Sequence, residues 1–358
     1  MKIILFTDNL GAGGAQRQLV GLAEMLHQQG YEVKVCTYQD SDFYKPFLTE
    51  RNIPNEVIPG ASEKYKRIAL VANYFKKENP DYIIAYQEVP SLIACLSRLL
   101  GCSSSVIVSE RNTTQVITLK DRFRFCLYRL AVSIVPNSYS QEQFLLSRYK
   151  WMKSKMTTIT NFVDLDRFSF STKTKKDIPI VVVAATIWPP KNIVGLIEAI
   201  KILVDRGRLF KVQCYGIVSR YENYVNECLN LIKTYSLEDY IELLPKTQEI
   251  HNKYRECDIF CLPSFYEGTP NVICEAMAVG RPVLCSDICD NSRYIQDGIN
   301  GFLFNPNSPD NIADVFEKAL NLSDEQYKNM CYNNRRKAEE MLSKDVFVNK
   351  YINLLNKQ

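Results

Sequence analysis

Strand-like and helix-like patterns alternate along the whole of this 358-residue chain, and this alternation restricts the folds open to it. Short apolar runs such as KIILFT, DYIIAY and PIVVVAATI are typical of strands buried on both faces, and stretches of helical period lie between them. Strands that alternate with helices predict a parallel sheet covered on both faces. We therefore expect an α/β protein whose ligands collect at the carboxyl ends of its strands.

Chain length and one polar segment predict two domains. The segment NFVDLDRFSFSTKTKKDIP is charged, ends in proline and separates two series of strands, the first of which closes with MTTIT. We place a first Rossmann-like domain at 1–165, a linker at 166–178, a second Rossmann-like domain at 179–340, and a terminal helix at 341–358 that could pack back on the first domain.

The composition argues against metal binding and membrane spanning. Most of the twelve cysteines lie in apolar runs without a Cys-x-x-Cys pair, and there are only two histidines, so we expect buried reduced thiols and no zinc site. No apolar run approaches the roughly 18 residues of a membrane span, and the apolar core of MKIILFTDNL is too short for a signal peptide. These features predict a cytoplasmic protein that meets a membrane only at its inner face.

Positive charge is concentrated in the first half of the chain. Residues 1–170 hold 21 Lys and Arg against 16 Asp and Glu, a net of +5, and the remainder has a net of −1. The segment 119–130 sets Phe123, Leu127 and Leu130 on one helix face. Four basic residues surround that face, namely Lys120, Arg122, Arg124 and Arg129. Either peripheral contact with an anionic membrane or an ordinary solvated helix would produce this pattern, and no nucleic-acid partner is expected.

One strand–loop–helix segment, PSFYEGTPNVICEAMAVG, carries two carboxylates at its turn. Glu267 follows the strand, and Glu275 lies eight positions later within the helical pattern. Pro270 suits the first helical turn, and the free N–H groups of a helix start favour an anion. The segment can therefore hold a phosphorylated, hydroxyl-rich ligand, although a pair of solvated glutamates would show the same spacing.

This segment resembles the Glu, seven residues, Glu signature of retaining glycosyltransferases of family 4. The similarity continues through RPVLCSD and DGINGFLF and covers nearly the whole chain, and it is weakest between residues 38 and 100. It implies the GT-B architecture, in which two Rossmann-like domains face each other across a cleft. It also implies that Glu275 binds the ribose of a nucleotide donor and that Glu267 is catalytic beside the sugar. The donor-binding loop would comprise Gly268, Thr269, Pro270 and Asn271.

A glycine-rich loop, LGAGGAQRQLV, directly follows the first strand. Its glycines do not have the spacing of a dinucleotide fingerprint, so a nicotinamide site is not expected. The loop resembles the family's first loop, which implies that Gly13 lies on the acceptor side and that Gly14 lies near the donor phosphates. A tight turn with no ligand is the alternative.

The segment IWPPKN also follows a strand. Lys191 resembles the family lysine that grips the donor diphosphate, and we assign it a catalytic role. Family members commonly carry an arginine five residues earlier, where this chain has Thr186, which leaves a hydroxyl to bind the donor. Arg220 and Arg293 are candidates to supply the missing charge.

A third polar strand end is Ser109-Glu110-Arg111-Asn112. Many family members have a histidine near this point, close to the donor sugar. In this chain Glu110 and Arg111 are the candidates, and we assign both to the acceptor side. A polar strand end without a ligand is equally compatible with the pattern.

The resemblance implies a hexosyltransferase that retains anomeric configuration. The donor would be a nucleotide-diphosphate sugar, with UDP favoured, and the acceptor a lipid-linked glycan of capsule, O-antigen or exopolysaccharide synthesis. No cofactor and no metal are expected, and the Asp-x-Asp pair Asp164–Asp166 lies in a turn near the linker. A non-enzymatic sugar-nucleotide-binding subunit and a UDP-sugar 2-epimerase are the alternatives.

Overall fold

The computed structural model describes residues 1–111, 114 and 116–357. The chain divides into two compact units, Met1–Phe162 with Lys344–Gln358, and Val163–Ser343. Each unit contains a six-stranded sheet in which every neighbouring pair of strands is parallel. The α/β class predicted from the alternation of patterns is confirmed.

The first unit is built on a sheet with the order β3-β2-β1-β4-β5-β6. Its strands are β1 (Lys2–Phe6), β2 (Glu32–Thr37), β3 (Asn55–Val57), β4 (Tyr82–Tyr86), β5 (Ser105–Glu110) and β6 (Ser133–Pro136). Its helices are α1 (Gly14–Gln28), α2 (Lys45–Glu50), α3 (Arg67–Glu78), α4 (Glu88–Leu99), α5 (Leu119–Leu127), α6 (Tyr139–Arg148) and, from the end of the chain, α14 (Lys344–Asn356). Short 3-10 turns follow α5 and α6, at Tyr128–Leu130 and Lys150–Ser154.

Alternate residues of each central strand enter different cores. Ile3 and Leu5 of β1 pack in the core under α1 and α14, whereas Ile4 and Phe6 pack in the core under α3 and α4. All four side chains are fully buried. Burial on both faces explains why these strands are continuous apolar runs.

The last helix, α14, is tied to the centre of the first unit by a buried polar cluster. The Tyr351 hydroxyl lies 2.9 Å from that of Tyr86, and Arg111 donates to both hydroxyls, at 2.5 and 2.8 Å. The same guanidinium donates to Ser109 and Asn161. The C-terminal segment therefore completes the first unit.

The second unit repeats the topology of the first, with the sheet order β12-β11-β10-β7-β8-β9. Its strands are β7 (Ile180–Ala184), β8 (Lys211–Ile217), β9 (Ile241–Pro245), β10 (Ile259–Leu262), β11 (Val283–Ser286) and β12 (Gly301–Phe304). Its helices are α7 (Ile193–Asp205), α8 (Glu222–Thr234), α9 (Ile250–Glu256), α10 (Asn271–Val279), α11 (Asn291–Tyr294), α12 (Pro309–Leu320) and α13 (Asp324–Leu342). Counted along the chain, both sheets have the order 3-2-1-4-5-6, which is that of the Rossmann fold.

Four segments differ from the sequence expectations. The edge strands β3 and β12 were not predicted, and MTTIT forms an isolated bridge, between Met156 and Ile134, instead of a strand. The segment assigned as a linker is packed on the second unit, where Phe168 is buried and Lys173 pairs with Asp258. Its polar composition reflects contacts with backbone carbonyls and carboxylates at the surface of that unit.

Substituting Tyr351 by Phe should lower the free energy of unfolding. The change would leave one N–H of the buried Arg111 without its acceptor and would remove the contact between the two hydroxyls, while Tyr86 keeps its hydrogen bond from Arg111. We expect a cost of about 1–3 kcal/mol. Urea denaturation measures the loss. Tyr332, whose side chain is exposed, supplies the control, because Tyr332→Phe should change stability by less than about 0.5 kcal/mol. Equal stability of both variants would contradict the anchoring role of α14.

Candidate active site

The candidate site lies where the direction of chain progression reverses in the second sheet. β7 and β10 are neighbours, and the connections that follow them lead to opposite sides of the sheet, which leaves a crevice at their carboxyl ends. A cavity of about 390 Å³ opens at this point. It is lined by Ala184, Ala185, Thr186, Lys191, Tyr215, Lys246, Thr247, Ile250, Tyr254, Glu267, Thr269, Pro270, Asn271, Val272 and Glu275.

An ion pair joins the loops that follow β7 and β10. Lys191 Nζ lies 2.5 Å from Glu267 Oε1, and Ser264 Oγ donates to the same oxygen at 2.6 Å. Both charged side chains are largely buried, with 20% and 12% of their surface exposed. Two donors on one carboxylate oxygen hold Glu267 in a single orientation.

Backbone contacts position these two loops. The Phe265 amide donates to the Pro190 carbonyl at 2.9 Å, which ties the loop of Glu267 to the loop of Lys191. Asn192 adopts a left-handed conformation and caps α7 through Gly195 N, while its amide donates to Pro306 O. Lys191 is therefore presented by a turn that is fixed on both sides.

The second carboxylate, Glu275, is buried on α10. It is 4% exposed, and Tyr254 OH donates to its Oε2 at 3.3 Å. Pro270 is the N-cap of α10 and so lies immediately before the first helical turn, in which the sequence suggested it. Thr269, Pro270 and Asn271 line the cavity beside the start of α10, and Gly268 lies between the lining residues Glu267 and Thr269.

The cavity contains a cation that the sequence reasoning missed. Lys246, directly after β9, lines the cavity, is exposed and makes no ion pair or side-chain hydrogen bond with the described residues. Arg220 lies over the ring of Tyr221, and Arg293 lies 3.8 Å from Asp290; neither lines the cavity. The only feature of the sequence that could have indicated the role of Lys246 is its position directly after a strand.

The predicted residues of the first unit lie at the ends of its strands. Gly13 and Gly14 begin α1, and a Cβ added to Gly13 would meet Gln16 Oε1 at 2.2 Å. Arg111 is 9% exposed and belongs to the cluster that anchors α14. Asn112 lies outside the described residues. The acceptor-side assignments of Gly13, Glu110 and Arg111 stay predictions.

Glu110 forms a buried ion pair with α5. Arg124 NH1 lies 3.0 Å from Oε1, and Tyr128 OH donates to the same oxygen. Burial raises the pKa of the Glu110 carboxyl, against the opposing charge of Arg124, and it raises the pKa of Tyr128 as well. The structure thus assigns Glu110 and Arg124 to the interior of the unit.

The burial of Arg124 corrects the predicted surface of α5. Leu127 and Leu130 pack against the core of the first unit, so the face predicted from these residues and Phe123 is not the exposed one. The outer apolar residues are instead Leu119 and Phe123, at 81% and 57% exposure. No helix among the residues that the structure describes is long and apolar enough to cross a membrane.

Asp164 stabilises a turn. Its Oδ1 accepts from the backbone amides of Asp166 and Arg167, both at 3.2 Å. Within the described ranges, no group of three or more His, Cys, Asp or Glu side chains has the arrangement of a metal site. The expectation of metal-independent chemistry stays a prediction.

Two Rossmann-like units, one with a cavity large enough for a nucleotide at its switch point, define the GT-B class of glycosyltransferases predicted from the sequence. The family model described as Glycosyl transferases group 1 matches residues 164–337, and the model of Glycosyltransferase Family 4 matches residues 12–167. Together they span residues 12–337, so the chain combines a Glycosyltransferase Family 4 domain with a Glycosyl transferases group 1 domain. The prediction of a hexosyltransferase is confirmed.

The curated relatives that the chain matches are distant in sequence, and the matched share of their length varies. A protein of Campylobacter jejuni, N-acetylgalactosamine-N,N'-diacetylbacillosaminyl-diphospho-undecaprenol 4-alpha-N-acetylgalactosaminyltransferase, is 23% identical over 94% of both chains. The UDP-Gal:alpha-D-GlcNAc-diphosphoundecaprenol alpha-1,3-galactosyltransferase of Escherichia coli is 26% identical over 69% of this chain and 63% of its own. The structure of HepE from Anabaena in complex with UDP superimposes with a TM-score of 0.87, at 18% identity over the full length of both chains, and supports the fold.

Gly216 is expected to be required for the loop after β7. A Cβ at this position would lie 1.7 Å from the Ala185 carbonyl oxygen, and this backbone atom cannot move aside as a side chain can. Gly216→Ala should therefore lower the free energy of unfolding by about 1–3 kcal/mol, measured by urea denaturation. Gly207→Ala is the control, because a Cβ at Gly207 would enter open space. Its only cost would be the strain of alanine at a φ of +73°, about 1 kcal/mol. A loss at Gly216 no larger than at Gly207 would contradict this interpretation.

Proposed function

We propose that this protein is a retaining glycosyltransferase that transfers a sugar from a UDP-sugar to a hydroxyl of a lipid-linked glycan. The main support is the cavity at the carboxyl ends of β7 and β10, where Lys191, Glu267 and Glu275 come together. A nucleotide sugar needs a partner for its ribose, a cation for its diphosphate and a polar group beside its sugar. These three side chains supply the three kinds of contact.

Glu275 would accept hydrogen bonds from the ribose hydroxyls. It is buried, so water does not compete strongly for its oxygens, and Tyr254 holds it from one side. A buried carboxylate prefers hydroxyl donors to phosphate, since two anions would repel each other. The ribose is therefore oriented toward α10, and the diphosphate away from Glu275.

Lys191 and Lys246 would stabilise the leaving diphosphate. As the bond to the sugar lengthens, negative charge grows on the phosphate oxygens, and preorganised donors lower the energy of that state. Lys191 is already paired with Glu267, whereas Lys246 has no counter-ion among the described residues. Lys246 would thus provide the second positive charge at a site where Thr186 has only a hydroxyl.

Glu267 would stabilise the positive charge on the sugar during transfer. Its carboxylate is held by Lys191 and Ser264, and this geometry orients it without making it a free nucleophile. Transfer with retention would then proceed by attack of the acceptor hydroxyl on the face that the diphosphate leaves. We infer the donor base and the acceptor from the relatives, whose names specify UDP-Gal for one of them and diphosphoundecaprenol-linked glycans for both.

The proposal is tested with the purified full chain, a panel of UDP-sugars and synthetic undecaprenyl-diphosphate-linked glycans. Release of UDP should require both substrates, continue in excess EDTA and give a product whose anomeric proton coupling matches the donor. A 2-epimerase would alter or release the donor without acceptor, and a binding subunit would release no UDP. Either result, or restoration of activity only by added manganese, would contradict the proposal.

Substitutions at Glu275 and Lys246 should affect different parts of the donor. Glu275→Ala removes the acceptor for the ribose, so the affinities for UDP and for uridine should both fall about tenfold or more, measured by calorimetry. Lys246→Gln should weaken UDP by a similar factor and leave uridine within about twofold, because it acts on phosphate. Lys211→Gln, an exposed lysine at the far end of β8, is the control. Equal losses for UDP and uridine in Lys246→Gln would assign Lys246 to the nucleoside instead.

The outer face of α5 is proposed to contact an anionic membrane that carries the acceptor. Leu119 and Phe123 are exposed beside Lys120 and Arg122, which are exposed as well. The full chain should float with phosphatidylglycerol vesicles at low salt and detach as salt screens the attraction. Lys120→Glu with Arg122→Glu should abolish flotation, and Lys211→Gln should not. Equal and negligible flotation of all three proteins would remove the membrane contact and leave the transferase proposal intact.

A further inference from the structure

A second cavity of the second unit lies between α13 and the segment that precedes β7. Its volume is about 460 Å³, which is larger than that of the cavity beside α10 and within the range of small-molecule sites. The lining residues come from both elements, namely Phe170 and 172–174 from the segment, and Lys328, Cys331 and Tyr332 from α13. The two cavities share no lining residue, so a ligand here would not occupy the donor position.

The wall formed by the segment before β7 is fixed to the body of the second unit. Ser171 N donates to Val279 O at 3.2 Å, and Arg281 Nη2 donates to Ser171 O at 2.9 Å. The ring of Phe170 packs on Gly280, where an added Cβ would lie 2.5 Å from its Cε2 atom. The wall is therefore preorganised, and a ligand would not have to order it on binding.

Positive charge exceeds negative charge around this cavity, and none of its described lining residues is acidic. Lys328 is exposed and makes no ion pair or side-chain hydrogen bond with the described residues, whereas Lys173 is balanced by Asp258 at 3.1 Å. Behind the wall, Arg281 is fully buried and donates to three neutral oxygens. Its charge reaches Cys331, where it opposes the rise that burial causes in the pKa of the thiol. The cavity therefore favours an anion.

The other lining groups suit an aromatic ring with polar substituents. Tyr332 is 56% exposed, and its ring centroid lies 5.3 Å from that of Phe170, with 43° between the ring planes. An exposed ring face beside a second ring offers both stacking and edge contacts to an aromatic ligand. The hydroxyls of Thr172 and Thr174 have no hydrogen-bond partner in the described part of the chain, so both can donate to a phosphate oxygen.

We propose that this cavity binds a small anionic ligand that carries an aromatic ring, with Lys328 in contact with the anion and Tyr332 in contact with the ring. A lysine ammonium binds a phosphate as a point charge. A bare anion would leave the face of Tyr332 unused, and a neutral ring would leave Lys328 without a counter-ion. The site does not depend on the proposed transfer function, because none of its residues takes part in that reaction.

Phenyl phosphate, which has both features, tests the site on the full chain by saturation-transfer NMR. It should bind with a dissociation constant of about 1 mM or lower. Inorganic phosphate and phenyl β-D-glucoside, each of which lacks one feature, should bind at least about fivefold more weakly. Saturating UDP should leave the affinity for phenyl phosphate within about twofold. Absence of phenyl phosphate binding, or its displacement by UDP, would overturn the proposal, whereas failure of the wild type to bind UDP would count against the donor proposal alone.

Substitutions on α13 separate the two contacts. Lys328→Gln should weaken phenyl phosphate about fivefold or more, and Tyr332→Ala about threefold or more. Lys211→Gln and Tyr65→Ala are the matched controls, because both side chains are exposed and neither lines the cavity. Both controls should bind phenyl phosphate like the wild type. Unchanged binding in both Lys328→Gln and Tyr332→Ala would overturn the site.

A fluorescent variant tests the position of the ligand independently. Tyr332→Trp keeps a ring at the cavity and adds a fluorophore to the two natural tryptophans, Trp151 and Trp188. Phenyl phosphate should change its emission along a curve that gives the affinity measured by NMR, and adding Lys328→Gln should move that curve to about fivefold higher concentration. An emission change no larger than that of the wild type would contradict binding beside residue 332.

Discussion

The parallel pairing of β7 with β10 is the constraint on which the candidate active site depends. At its amino end, Asp258 accepts from the Ile180 amide at 2.8 Å; at its carboxyl end, Phe265 N donates to Pro190 O. Because the pairing is held at both ends, the loops that follow the two strands have little freedom to shift relative to each other. The short contact between Lys191 and Glu267 depends on this backbone arrangement. If the two loops moved independently, the two side chains would not be held within hydrogen-bonding distance.

The sequence predicts structure best where a residue pattern has a single physical explanation. Continuous apolar runs predicted the central strands, and the two glutamates around α10 line one cavity, although the ligand predicted for them stays a prediction. Edge strands were missed because their pairing is imposed by a neighbour: β3 is the three-residue Asn-Glu-Val, and its residues are only half-buried. Pattern in a sequence reflects burial, and β3 has little of it.

The positions of charged residues were harder to predict, because charge alone does not determine whether a side chain is exposed to solvent. Arg124 was grouped with the exposed cations of α5, yet it is 4% exposed and neutralises Glu110, which lies on a strand in the same unit. That pairing joins residues 14 positions apart, and no local pattern reports it. Lys246 has no distinguishing pattern in the sequence. It lines the cavity only because the order of the strands places the end of β9 beside it.

The same strand order in both units leads to different chemistry because the side chains at the two switch points differ. In the second unit, a lysine lies in the loop after β7 and a glutamate in the loop after β10, and Lys246 has no counter-ion in the part of the chain that the structure describes. In the first unit, a threonine and a glutamine take the corresponding places after β1 and β4. Charged groups suit a diphosphate, whereas a threonine and a glutamine carry no charge. A repeated topology can in this way carry different side chains in the loops that follow corresponding strands, so the strand order alone does not determine what each unit binds.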